Sequence, residues 1–489
     1  MNLTEITKSL NAIIVFGVNN KEITGVEFDS RKVKAGYLFV AIKGTELDGH
    51  SFINDAISNG ATAVICQDMP ETKDDKITYI LVEDSAEALG TVASEWYGNP
   101  SQKLILTGVT GTNGKTTVAT LLFEIFNSIG HNSGLISTVQ NRIIDKILPA
   151  THTTPNAIEI NALLAEMLKA GCYYVFMEVS SHAIDQKRIS GLRFMGGVFT
   201  NLTRDHLDYH KTFEAYRDTK KKFFDGLDYY AVAVTNIDDR NGDFMLQNTE
   251  ALKYTYSIRA MADYKGKIID YDFKGTTVKL NGIEVTTPFV GKFNASNITA
   301  VFGAAIALGL EADETATAIS TLKPVVGRFQ TFNALAGYTV IVDYAHTPDA
   351  VTNVLNTIHN VANKYSIARK IITVVGCGGD RDKGKRPIMA KEAARLSNIL
   401  ILTSDNPRTE NPQAIIDDML AGLTDNSAAR TRIILDRREA IKTACSIAEA
   451  GDVVLVAGKG HEDYQEINGE RHHFNDGEEV KSIVSRIRC

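Results

Sequence analysis

Residues 111–117, Gly-Thr-Asn-Gly-Lys-Thr-Thr, concentrate the groups that handle phosphate. Glycines let backbone N–H groups converge on phosphate oxygens, a lysine can neutralise β- and γ-phosphates, and the next hydroxyl can reach Mg²⁺. The strict spacing G-x-x-x-x-G-K-[ST] is broken, because Val109 stands where its first glycine belongs. Context therefore decides between a phosphate cradle and a glycine-rich turn with a solvated lysine. KLILTGV before the loop reads as a buried strand; after it, Val118, Leu121, Leu122, Ile125, Phe126 and Ile129 recur at helical spacing. Strand, glycine loop and helix put the loop at a helix N-terminus, where anions bind. Gly111, Thr112, Asn113, Gly114, Lys115, Thr116 and Thr117 are accordingly read as a nucleotide-binding loop.

Further reactive groups follow. Glu178 ends the strand-like run YYVFMEV, and a carboxylate at a strand end beside a phosphate loop suits a hard cation such as Mg²⁺, although an ordinary strand-end glutamate looks the same. Asn201 to His210 brings together Arg204, Asp205, His206 and Asp208 after a strand, a density of groups able to contact metal or phosphate, although each His taken alone reads as a surface or hydrogen-bonding residue. Lys220, Lys221 and Lys222 follow Tyr216; charge alone favours a solvated helix face, and spacing does not say which of the three, if any, points inward.

The elements that must position these groups alternate between strand and helix. Residues 1–100 hold strand-like GYLFVAI, ATAVICQ and ITYILVE with helical SFINDAISNG; EWYGNPSQK, residues 95–103, reads as a linker. From 101 to 330, YYVFMEV, GGVFTNL and AVAVTNI predict a mostly parallel sheet covered by helices, with hairpins added over 253–290 around the Asn281-Gly282 turn. From 331 to 489, TVIVDY, KIITVVG, ILILTSD, RIILD and VVLVAG repeat a doubly wound layout, whose ligands lie at the carboxyl ends of strands. The predicted class is α/β in three domains, 1–100, 101–330 and 331–489.

Composition narrows the function classes. The 489 residues are 44% hydrophobic and 23% charged, ordinary for a globular chain, and the formal charge of −7 supplies no field for a nucleic-acid backbone. Cys66, Cys172, Cys377, Cys445 and Cys489 are scattered and odd in number, which excludes a disulfide framework or zinc ribbon and fits a reducing cytosol. MNLTEITKSL lacks the basic flank and apolar core of a signal peptide, and runs such as AIIVF and IITVV are too short to span a bilayer. A cytoplasmic protein that binds neither nucleic acid nor membrane is expected.

GTNGKTT, EVSSHAIDQKR, TNLTRDHLDYH with the lysine after Tyr216, DYAHTPDA, GCGGDRDKGKRP, SDNPRTENP and AGKGHEDYQ occur in that order over nearly the whole chain. As a set they resemble the Mur ligases of peptidoglycan synthesis, and within them the members that add meso-2,6-diaminopimelate. The resemblance implies an N-terminal UDP-binding domain, a central phosphate-loop ATPase and a C-terminal Rossmann-like domain. It implies that ATP phosphorylates the γ-carboxylate of UDP-N-acetylmuramoyl-L-alanyl-D-glutamate, that the amine of the incoming amino acid attacks the acyl phosphate, and that ADP and phosphate leave. Two anions must approach each other, so cations must screen them. The resemblance assigns this to Lys115 and to two Mg²⁺ held by Thr116, Glu178, His206 and Lys220, the last as a CO₂-derived carbamate (N6-carboxylysine). These four side chains, Lys115, Glu178, His206 and Lys220, are the expected catalytic set.

The same resemblance assigns the remaining contacts. Ser30 and Thr45-Glu46-Leu47 match positions holding the UDP end, and Thr153, Thr154, Ser180, Gln186 and Arg188 match contacts to the muramoyl dipeptide. His152, also expected on the sugar and dipeptide side, stands where many members have asparagine. Asn294, Asn297, Arg328, Asp343 and His346 resemble ATP-side positions across a domain junction. Arg381, Asp405, Asn406, Pro407, Arg408, Gly458 and Glu462 match the amino-acid pocket, where Arg408 suits the carboxylate that distinguishes diaminopimelate from lysine and Glu462 suits an ammonium. A monomer acting on small molecules is expected.

Other classes fit less well. Gly376-x-Gly378 follows a strand, but Arg381 replaces the third glycine of a dinucleotide fingerprint. A phosphate-loop switch without ligase chemistry leaves Asp405–Arg408 unexplained. Lysine addition or folylpolyglutamate synthesis are the nearer alternatives.

Overall fold

A computed structural model describes residues 1–44, 47–150, 152–365 and 370–485. Three sheets account for most of the strands. Nearest the N-terminus, Ile14–Phe16, Thr78–Leu81, Ala61–Cys66, Tyr37–Val40 and Gly25–Glu27 lie side by side in that order, parallel except for Ile14–Phe16. Residues 95–103 are a pinned turn rather than slack chain. Asn99 adopts a left-handed conformation, its amide donates to Glu95, and a 3₁₀ turn over Pro100–Lys103 buries Pro100 and Ser101.

The second sheet has eleven strands. Its parallel heart runs Tyr264–Asp272, Leu252–Ser257, Val232–Asn236, Gly196–Phe199, Ile105–Thr110, Tyr174–Glu178 and Ser133–Ile136. Antiparallel hairpins extend both edges, and the 253–290 region supplies one of them. Asn281 and Gly282 both take positive φ at its tip, as a tight hairpin turn requires. Period-two alternation sorts the strands between two apolar layers: Val109 packs beneath the helix Lys115–Ser128, while Leu106 faces the opposite layer with Phe223 and Phe224. Gly108 lies under the helix Phe213–Asp225, where a Cβ would come within 2.5 Å of the Phe223 ring.

The third sheet orders Gln330–Asn333, Thr339–Asp343, Val453–Ala457, Ile371–Val375, Ile399–Leu402 and Thr431–Ile433, parallel except at the first strand. It too is buried on both faces, as a parallel sheet requires. The four described cysteines are buried and free, and Cys489 lies outside the described residues. Among the described residues no helix is long and apolar enough to cross a membrane.

Candidate active site

The phosphate loop joins the strand Ile105–Thr110 to the helix Lys115–Ser128. Gly114 makes the junction at φ 88°, and a side chain there would meet Asn297 Oδ1 at 2.5 Å. Neighbouring backbone holds the loop open. Thr112 N–H donates to Asn201 O at 2.8 Å, Asn113 N–H to Asn201 Oδ1 at 3.0 Å, and the Thr200 hydroxyl to Asn113 O at 2.6 Å. Lys115 Nζ donates to the carbonyls of Gly111 and Thr112, both at 2.9 Å. Burial pulls its pKa below the ordinary lysine value, against the fields of Glu178 and Asp205.

Thr116 and Glu178 meet at the mouth of the loop. Thr116 Oγ1 donates to Glu178 Oε2 at 2.9 Å, and the other carboxylate oxygen accepts from Thr138 N–H at 2.7 Å. A hydroxyl and a carboxylate this close offer Mg²⁺ two hard oxygen donors. Among the described residues no group of three or more His, Cys, Asp or Glu could hold a metal alone. That partial shell suits Mg²⁺, which keeps waters and takes substrate phosphate oxygens. Arg328, from beyond the central sheet, donates to Thr116 Oγ1 at 3.1 Å.

The lysine run resolves into three different environments. Lys222 is exposed, and Lys221 pairs with Asp225 at 2.5 Å. Lys220 is buried, its Nζ 3.4 Å from Thr110 Oγ1 and 4.8 Å from the centre of the Tyr216 ring. Burial, reinforced by the charge of Lys115, holds its pKa well below the lysine range; Asp205 opposes the shift. His206 lies on the same tyrosine, ring centres 6.1 Å apart, and edge-on to His182. Burial pushes its imidazole down to about 3 against the neighbouring Asp205, so it is neutral and able to act as a ligand. Tyr216 ties this pair to the loop through a 3.1 Å bond between its hydroxyl and Thr112 Oγ1.

A cavity of about 1080 Å³ opens between the first two sheets, lined by Ser30, Leu47, His152, Gln186 and Arg188 together with Phe28 and Tyr209. Thr45 and Glu46 lie outside the described residues. Gln186 Oε1 accepts from Arg188 Nη2 at 2.6 Å and its amide donates to the Tyr209 hydroxyl at 3.3 Å. Thr153, Thr154 and Ser180 stand behind this lining. The Thr154 hydroxyl bridges Glu178 O and Ser180 N–H, the Thr153 hydroxyl accepts from Thr138, and Ser180 caps the helix Ser181–Asp185.

On the third sheet, Asp343 is buried with both oxygens accepting backbone N–H groups, of Phe329 and Ala345. His346 Nδ1 lies 2.8 Å from Tyr344 O, and burial pushes its pKa down to about 4. Asn294 donates to Val290 O, and Asn113 of the phosphate loop reaches across to Asp349 at 3.0 Å. Asp405 to Arg408 follow the strand Ile399–Leu402. Arg408, at φ 53°, donates to Gly379 O at 2.6 Å, and Gly458, at φ 118°, comes so close to Asp405 Oδ2 that a Cβ would lie 2.6 Å away. Asn406 Nδ2 donates to Glu462 Oε2 at 2.8 Å. Arg381 is exposed on the adjacent loop, and Pro407 is buried.

The sequence reading did not single out Tyr216, Thr138, Asp349 or Arg386 for a role. Arg386 is fully buried, gripping Glu410 and Asp418 and donating to Gly378 O, so that it braces the loops carrying Arg381 and Arg408. Its position inside GCGGDRDKGKRP, a run already rich in charge, was the available signal.

A phosphate loop with a paired hydroxyl and carboxylate, facing two further α/β units, defines a nucleotide-using enzyme with sites for more than one co-substrate. Comparison with known proteins places it further. Sequence profiles described as "Mur ligase family, catalytic domain", "Mur ligase middle domain" and "Mur ligase, glutamate ligase domain" match residues 22–97, 109–305 and 327–460. Proteins of Bacteroides thetaiotaomicron and Parabacteroides distasonis, both named UDP-N-acetylmuramoyl-L-alanyl-D-glutamate–2,6-diaminopimelate ligase, are 57% and 56% identical over 485 residues. These matches cover 99% of this chain and 100% and 99% of the respective relatives. A solved structure of a ligase of the same name superimposes with a TM-score of 0.70 at 35% identity, covering 99% of each chain. The chain belongs to the Mur ligase family, and it is a ligase.

Proposed function

We propose that this ligase joins meso-2,6-diaminopimelate to UDP-N-acetylmuramoyl-L-alanyl-D-glutamate in the cytoplasm, with conversion of ATP to ADP and phosphate. The observation that carries the reading is full-length identity above 50% to relatives of that name, and this chain has Arg408 on the loop of Asp405 and Asn406, the latter bonded to Glu462. The three units divide the work: 1–100 takes the UDP end, 101–330 the ATP and the dipeptide, 331–489 the incoming amino acid.

A carboxylate is a poor electrophile because oxide would have to leave. Its γ-oxygen attacks the terminal phosphorus of ATP, the bond to the bridging oxygen breaks, and ADP departs. The amine then attacks the acyl carbon, loses a proton, and the tetrahedral adduct expels phosphate. Lys115 on the loop screens the γ-phosphate as the carboxylate approaches. Thr116 and Glu178 would hold one Mg²⁺ and His206 with modified Lys220 a second, whose chemistry is to neutralise the two converging anions.

Lys220 is suited to carbamylation because burial, with no salt-bridged carboxylate among the described residues, favours the neutral, nucleophilic amine. Its nitrogen adds to CO₂ and releases one proton, turning a repelling cation into an oxygen donor. Asn294, Asn297, Arg328, Asp343 and His346 lie where closure of the second and third units would exclude water from the acyl phosphate. Arg188 and Gln186 line the dipeptide side, and Arg381 and Arg408 would receive the distal carboxylate of the amino acid.

The test is ADP release with UDP-N-acetylmuramoyl-L-alanyl-D-glutamate alone, with diaminopimelate and with lysine. Turnover that requires diaminopimelate is expected. Equal turnover with lysine would contradict the specificity, and none with either amino acid would contradict the reaction.

A further inference from the structure

Lys459 follows Gly458 at the carboxyl end of the strand Val453–Ala457, and its side chain is fully buried. Burying an ammonium is costly unless it is paired. Nζ donates to Glu462 Oε2 at 2.9 Å and to Asn406 Oδ1 at 3.0 Å, and lies 5.4 Å from the centre of the Tyr464 ring. Asn406 closes the triangle by donating its own amide to Glu462 Oε2. That one carboxylate oxygen therefore takes both bonds, and among the described residues Oε1 takes none.

The charges around this triangle do not balance. Glu462 is faced by Asp405, Lys459 and Arg437, with Tyr344 and Tyr464 packed nearby; His346 faces Asp405 and His461 faces Lys459, burial pushing these imidazoles down to about 4 and about 3. Arg437 is already matched: its guanidinium grips Asp476 at 2.8 and 2.7 Å, both side chains fully buried. Lys459 is thus one cation shared between two carboxylates, Asp405 and Glu462. The cluster is short of one positive charge.

We infer that Lys459 is a positioning residue for the amino-acid substrate, fixing Glu462 ionised and by one oxygen so that the other accepts the incoming ammonium. The inference rests on the proposed amino-acid pocket. Burial and the nearby Asp405 push the Glu462 carboxyl upward, and Lys459 opposes them. With Lys459 replaced by an apolar residue, that opposition is lost, the Glu462 carboxyl moves further upward, and its neutral form, which does not attract a cation, is favoured. Arginine would keep the charge.

The experiment measures steady-state kinetics of the full chain with diaminopimelate varied from pH 6 to 9, for wild type, Lys459→Met, Lys459→Arg, Glu462→Gln and Lys459→Met/Glu462→Gln. Lys459→Met should raise the diaminopimelate KM roughly 10- to 100-fold at neutral pH, as loss of charge-assisted bonds to a substrate-binding carboxylate implies. The acid limb of kcat/KM should move to higher pH, with the KM for ATP unchanged. Lys459→Arg should keep the wild-type limb, and the double variant should be no worse than Glu462→Gln. An unchanged diaminopimelate KM, additive single effects or an unmoved limb would overturn the inference while leaving the ligase reading intact. If Lys459→Met does not fold, a Lys459→Arg limb displaced to higher pH would overturn it alone. Wild type inactive with diaminopimelate would overturn both.

Discussion

Lys220 shows what a single residue's surroundings can decide. Three adjacent lysines look alike in the sequence, yet one faces solvent, one pairs with Asp225, and Lys220 is buried beside Thr110 and Tyr216 with no salt bridge to an acidic group among the described residues. If its carbamate supplies a metal ligand, Lys220→Ala should lose on the order of 10²–10³ in kcat, comparable to removing a main electrostatic contributor. A short carboxylic acid should restore part of it; unimpaired turnover would remove the carbamate. Arg408 is tested in the opposite direction, through binding. Arg408→Ala should raise the KM for diaminopimelate about 10- to 100-fold, the range of a charge-assisted hydrogen bond, and an unchanged KM would count against its role. Gly114 and Thr116 were legible from order and spacing, whereas Glu178 was told from an ordinary strand-end glutamate only by the family resemblance. Lys459 and Arg386 were not, because a charge buried by tertiary packing looks like a solvated one until its partners are known.

At the scale of elements, the site depends on how closely a helix approaches a strand. The helix Phe213–Asp225 carries Lys220 over Gly108 of the strand that leads to the phosphate loop, and the Phe223 ring occupies the space a Cβ would need. Gly108→Val should cost about 2 kcal/mol of unfolding free energy through overpacking, seen as a lower urea midpoint, and reduce kcat by shifting Lys220. Full stability would show that the helix can move without cost. Most strands were readable because parallel strands buried on both faces are continuous apolar runs, as at YYVFMEV and VVLVAG. The turn at 95–103 was read as a linker because Gly98, Asn99 and Pro100 announce irregular backbone but not the bonds to Glu95 and Ser101 that pin it.

At the scale of the whole molecule, groups from separate sheets meet at one place. Asn113 reaches Asp349, so the third unit touches the phosphate loop directly, and Arg328, at the junction with that unit, reaches Thr116. This convergence buries neutral imidazoles: burial holds His206 and His461 down to about 3 and His346 down to about 4. A histidine whose pKa is depressed on folding contributes stability above its unfolded value near 6.5, lost as pH falls toward the folded value. The urea midpoint should therefore drop from pH 7.5 to pH 5.0, and a midpoint flat across that window would contradict the buried neutral state.

The central claim is that a carboxylate is activated by phosphorylation before an amine replaces the phosphate. The most direct measurement uses UDP-N-acetylmuramoyl-L-alanyl-D-glutamate labelled with ¹⁸O in both γ-carboxylate oxygens, turned over with ATP and diaminopimelate. One labelled oxygen in each phosphate released, with the other retained in the new amide, is the predicted result. Unlabelled phosphate accompanying amide formation would contradict the account.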